Sequence, residues 1–145
     1  QLAYGKVDLT MVLNGALAGL VSITAEPLTP TMGWTCFIGG VGGVIVVYGV
    51  PLLDKFKIDD VVGAIPVHLF AGIWGTLAVV LTNPEAALGT QIYGIVVVGV
   101  FTFVISGAAW VILNAVLGIR VSEEDEITGL DTAELGMEAY PDFVR

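Results

Sequence analysis

Long apolar runs recur along this chain, each closed by turn or charged residues, and they constrain its fold more than any other feature. They cover roughly residues 7–24, 34–53, 61–82 and 91–119, close to the ~20 residues a helix needs to cross ~30 Å of hydrocarbon. Glu26, Pro27 and Pro30 close the first run, which is short for a crossing, and Asn83-Pro84 closes the third, because proline cannot continue a helical hydrogen-bond ladder. The fourth is long enough to tilt or protrude. Apolar residues are continuous within each run rather than alternating, and only closed barrels satisfy strand edges in lipid. The expectation is an all-α polytopic membrane protein: four transmembrane helices within residues 1–119, followed by a tail over 120–145. Composition agrees, with 56% hydrophobic and 13% charged residues against about 25% charged in soluble domains.

The net charge of −9 describes the tail and not the fold, since eight of the fourteen acidic residues lie between Glu123 and Asp142. No nucleic-acid partner is expected. Four crossings place Lys6, Lys55, Lys57, Arg120 and Arg145 on one side, while the two opposite loops carry no Lys or Arg. Cytoplasmic loops retain positive residues, so both ends of the chain are expected in the cytoplasm, in a multi-pass protein of the cell membrane. The first residue is Gln1 and no signal peptide is visible. The chain is therefore expected to be the carboxy-terminal part of a longer protein. Cys36 is the single cysteine, which excludes an intrachain disulfide. Small residues let helices approach closely in membranes, and Gly15/Gly19, Gly39/Gly43 and Ala71/Gly75 form three such faces.

His68 is the only histidine, about a third of the way into the third apolar run. Ionisable side chains within a span usually face a protein interior or a cavity. An imidazole there offers nitrogens that hydrogen-bond a small polar solute or pass a proton. No Glu or Cys accompanies it at helical spacing, so neither a metal nor any other cofactor is expected. Asp59 and Asp60 precede the same helix, where a carboxylate caps orphan N–H groups, and Asp59 is expected to act as such a cap. Asp60 stands about 12 Å from His68 along a helix axis, too far for a catalytic dyad. No activated nucleophile is apparent, so an enzyme is not expected. In the tail, Ser122-x-x-Asp125 and Asp131-x-x-Glu134 are compatible with short capped helices, punctuated by Gly129 and Gly136.

Three blocks then narrow the field: NGALAGLVSITA at Asn14–Ala25, DDVVGAIPVHLFAGIWGTLA at Asp59–Ala78, and GIRVSEEDEITGLDTAELGMEAY at Gly118–Tyr140. In this order they resemble the last four transmembrane helices and cytoplasmic tail of the ammonium transporter (Amt, Mep and Rh) family. The resemblance implies a fragment, helices eight to eleven, of an eleven-helix fold whose first ten helices form two inverted repeats around a narrow pore in each subunit of a homotrimer. It implies that His68 is the second of two pore histidines, the first lying on the absent helix five. Leu17 and Ala64 then match apolar pore-wall positions, Thr24 a position by the outer ammonium-recruitment site, and Asp60 a structural aspartate near the start of the pore helix. The implied partners are ammonium or ammonia, the lipid bilayer and, in members that use one, a PII-type regulator at the cytoplasmic face. A sensor that uses the same membrane fold for signalling is the alternative function. Two departures stand out. Leu135 occupies the place of a usual tail histidine, and Val61 that of a usual proline, while Pro66, two residues before His68, is expected to kink the helix.

Overall fold

The computed structural model describes Gly5 and residues 7–138. These form helices α1 (Leu9–Ile23), α2 (Met32–Lys55), a π-helix over Ile65–Phe70 that runs on into α3 (Ala71–Thr82), α4 (Leu88–Leu117), α5 (Glu123–Thr128) and α6 (Leu130–Leu135). No strand occurs among the described residues. Three helical stretches are long and apolar enough to cross a membrane: Met32–Lys55, Ile65–Thr82 and Leu88–Leu117. The first, expected as a fourth crossing, is a 15-residue helix, about 22 Å long at 1.5 Å per residue. The protein is an all-α membrane protein. Its exposed large apolar side chains, such as Phe103, Trp110 and Val116, suit hydrocarbon as a solvent.

The chain divides into two compact units, the division falling between Val98 and Gly99 within α4. In the first, α1, α2 and the π-helix with α3 pack side by side around Ala18, Val46, Val67 and Ala71. Lipid supplies no hydrophobic drive for such packing, so close backbone approach has to stabilise it. Glycines provide that approach. A Cβ added at Gly19 would lie 3.5 Å from the Gly39 carbonyl oxygen, and one at Gly43 would lie 3.6 Å from that of Gly15. The small-residue faces expected on α1 and α2 therefore meet, in antiparallel register. The third face meets α1, where Gly75 presses on the Ser22 backbone. Ser22 is fully buried, and its hydroxyl donates to the Ala18 carbonyl at 2.7 Å and to that of Ala71 at 3.4 Å. No described buried polar side-chain atom lacks a hydrogen-bond partner.

The third helix, expected from residue 61, begins at Ile65. Gly63 has φ +75°, a left-handed conformation that ends helical continuity and suits glycine, and its N–H closes a turn onto the Asp60 carbonyl at 3.2 Å. Asp60, not Asp59, is the cap: its two carboxylate oxygens accept from the N–H groups of Ala64 and Ile65, each at 2.8 Å. Pro66 does not kink a helix interior as expected. It occupies the first turn of the π-helix, where a missing N–H leaves no ladder bond broken. α2 ends in paired bonds from the Lys57 N–H to the Asp54 carbonyl and from the Ile58 N–H to that of Leu53. Lys57 takes the left-handed position, φ 57°, that such a helix end requires.

The second unit holds the carboxy-terminal half of α4 with α5 and α6. Ser122 caps α5 as its motif predicts, accepting from the Asp125 N–H at 3.1 Å and donating to the Asp125 carboxylate at 2.7 Å. Asp131 does not cap α6: it lies in the first turn, and Gly129 holds the cap position. Gly129 separates the two short helices and Gly136, φ 64°, ends the second. Arg120 pairs with Glu126 at 2.7 Å, with both side chains well exposed, an interaction of about 0–1 kcal/mol. Lys6, Tyr140, Asp142 and Arg145 lie outside the described residues.

Candidate functional site

α1 and the π-helix/α3 stretch run parallel, with a register fixed by contacts at two levels. Asn14 bonds to Val62 near one end, and Ser22 to Ala71 further along. Beside the second of these, Val21 lies against Gly72, where an added Cβ would sit 3.8 Å from Val21 Cγ1. One turn earlier on each helix stand Leu17 and His68, and four residues before His68 comes Ala64. By register, these three occupy one flank of the helix pair. All three are exposed in this chain, Leu17 at 47%, so the flank has no cover from these residues. It is apolar apart from His68.

Thr24 stands elsewhere. It is the C-cap of α1, seven residues and about 10 Å beyond Leu17 along the axis, and its hydroxyl donates to the Leu20 carbonyl at 2.7 Å. Glu26 lies in the same loop and accepts from Asn83 Nδ2 at 3.1 Å, linking the α1–α2 loop to the end of α3. Hydrogen bonds from the Thr29 side chain and then from Asn83 hold the Glu26 carboxyl below the usual carboxylate range. This end of the helix group thus carries a carboxylate kept ionised, while Asp60 and the lysines Lys55 and Lys57 belong to the opposite end. Among the described residues, no three His, Cys, Asp or Glu side chains are grouped to hold a metal ion.

Three features escape the sequence. Asn14 is buried, and its amide reaches 48 residues along the chain to the Val62 carbonyl at 2.9 Å. Gly63 lies against that amide. Trp74 Nε1 donates to the Ile38 carbonyl at 3.0 Å, and its ring extends an edge-on series with Phe37 and Trp34, the ring centroids 6.5 and 5.7 Å apart. A polar amide within an apolar run is the one signal in the sequence that could have singled out Asn14.

A model of the Ammonium Transporter Family matches residues 1–140. The chain is 41% identical to ammonium transporter Amt2 of Archaeoglobus fulgidus, with 99% of the chain and 35% of that protein aligned. It is 36% identical to ammonium transporter Amt1 of Haloferax mediterranei, covering 97% of the chain and 28% of the relative. With an ammonium transporter of Bacillus subtilis the identity is 34%, over 94% of the chain and 38% of the relative. The chain spans about a third of the length of these curated relatives.

Proposed function

The chain belongs to the ammonium transporter family, and on that premise we propose that the whole protein conducts ammonium or ammonia across the cell membrane, with His68 on the conducting path. The observation that carries this reading is the apolar flank on which His68 stands between Leu17 and Ala64 by register, exposed here and continuous along two packed helices. A bare cation entering such a path loses its hydration, at a cost of several kcal/mol or more. Deprotonation avoids much of it. Ammonia then crosses along Leu17 and Ala64, and the His68 ring supplies hydrogen-bonding nitrogens in an otherwise apolar wall. A second histidine, from the part of the protein preceding this chain, completes the pair. Thr24 borders the outer recruitment site, near the ionised Glu26, and Asp60 holds the start of the pore helix.

By the same reading the protein is a homotrimer, α1 is a short fourth crossing, and both ends of the chain lie in the cytoplasm. The tail from Arg120 regulates conduction and offers a surface to a PII-type regulator. The test is ammonium flux into liposomes reconstituted with the full-length protein and with His68→Glu. A carboxylate in a narrow pore attracts cations, so the variant should assemble normally and admit potassium or sodium currents that the parent excludes. Unchanged flux and selectivity would place His68 off the path.

A further inference from the structure

The π-helix that carries His68 starts from a turn that is held twice. Within the turn, the Asp60 carboxylate fixes the N–H groups of Ala64 and Ile65, each at 2.8 Å. From across the helix pair, the buried Asn14 amide donates to the Val62 carbonyl at 2.9 Å. Gly63, between the two, has no room for a side chain: a Cβ there would lie 2.8 Å from Asn14 Nδ2 on one side and 3.2 Å from Val50 Cγ2 on the other. His68 follows Val62 by six residues, under two turns. A π-helix is short, so its register depends on what anchors its first turn.

Resting on the transport reading above, we propose that Asn14 is a positioning residue for His68: its amide, through the Val62 carbonyl and Gly63, sets the start of the π-helix and thereby where the imidazole stands. Asn14 itself is enclosed and touches no transported species. Its effect reaches the path through the backbone from Val62 to His68. Loss of the amide frees the turn to shift, and the ring moves with it.

The experiment uses the full-length protein in liposomes, with ammonium flux measured alongside the nitrogen-15 resonances of labelled histidine, His68 being assigned by its loss in His68→Gln. Asn14→Leu keeps the branched heavy-atom skeleton of the side chain and removes the donor. Gly63→Ala drives a methyl against the same amide and serves where Asn14→Leu does not fold. Trp74→Phe, which removes the Nε1 bond to the Ile38 carbonyl, controls for loss of an interhelical hydrogen bond elsewhere. In either of the first two variants the His68 resonance should shift and the maximal flux should fall about tenfold with KM little changed, small misplacements in a site being costly in rate. Trp74→Phe should leave both close to the parent. An unmoved His68 resonance in the folded Asn14 or Gly63 variant overturns the proposal. Should the parent itself carry no ammonium, the transport reading fails, and the resonance still decides whether Asn14 positions His68.

Discussion

At Gly42 an added Cβ would overlap the Ser22 hydroxyl and lie 2.7 Å from the Ala18 carbonyl oxygen, whereas at Gly40, two residues earlier on α2, it would meet nothing within 4 Å. The two glycines therefore do different work. Gly42→Ala should destabilise the protein by about 1–3 kcal/mol, the range for overpacking a well-filled interior. Gly40→Ala should be neutral or stabilising by up to about 1 kcal/mol, from helix propensity alone. Thermal unfolding of the full-length protein in detergent compares them, and equal effects would show that α1 and α2 are not in this contact. Spacing made Gly15 with Gly19 and Gly39 with Gly43 legible as two small-residue faces, because small residues four apart lie on one helix face, but not that the two faces meet. It gave no hint of Gly42, whose need for glycine comes from a hydroxyl on another helix. The Asn14 bond to Val62 was hidden for the same reason: its partner is a backbone carbonyl 48 residues away.

Helices were legible as runs, and their ends where a proline or a capping side chain announces them. Ser122 did so for α5, and Ser122→Ala should cost about 1 kcal/mol of that helix. Amide exchange at Asp125 and Glu126, whose N–H groups bond to the Ser122 hydroxyl and carbonyl, should then quicken roughly fivefold by the same energy. Unchanged exchange would mean that α5 does not depend on this cap. Hydropathy misplaced the start of the third helix because Val61 and Val62 are apolar yet lie in a turn, where Gly63 and Asp60 decide the backbone. At the other end of these helices, the Glu26 link to Thr29 and Asn83 favours the carboxylate and lowers its pKa from the usual 4.5. Its contribution is whole above pH 4.5 and is lost as the pH falls through the lower folded-state value. The protection of the Thr29 amide, taken relative to its intrinsic exchange rate at each pH, should accordingly fall in acid, and Glu26→Gln should remove that pH dependence. Persistence of the acid effect in the Gln variant would assign it to another group.

At the scale of the molecule, the way the chain threads the membrane depends on α1. Its register against α2 pairs Gly15 with Gly43, so its first turn stands level with about Val50, some five residues and ~8 Å short of the Lys55 end of α2. A 15-residue helix of about 22 Å crosses ~30 Å of hydrocarbon only where the bilayer thins or polar flanking residues reach the interface. Asp8, which caps α1 through the Met11 N–H at 2.9 Å, is such a residue. We predict that α1 crosses, since it is packed along α2 and contributes the buried Asn14, Ala18 and Ser22 to the helix interface. Single cysteines placed at Asp8, Lys57 and Glu85, in a full-length background lacking other cysteines, should show it with a membrane-impermeant thiol reagent. On the cytoplasmic orientation proposed above, which the two lysines at the end of α2 favour, Lys57→Cys should react only from the inner side. Glu85, in the loop after α3 that has no Lys or Arg, should react only from outside, and Asp8 from the cytoplasm together with Lys57. Labelling of Asp8 from outside would show that α1 does not complete a crossing, and labelling of Lys57 and Glu85 from the same side would overturn the crossing of α3.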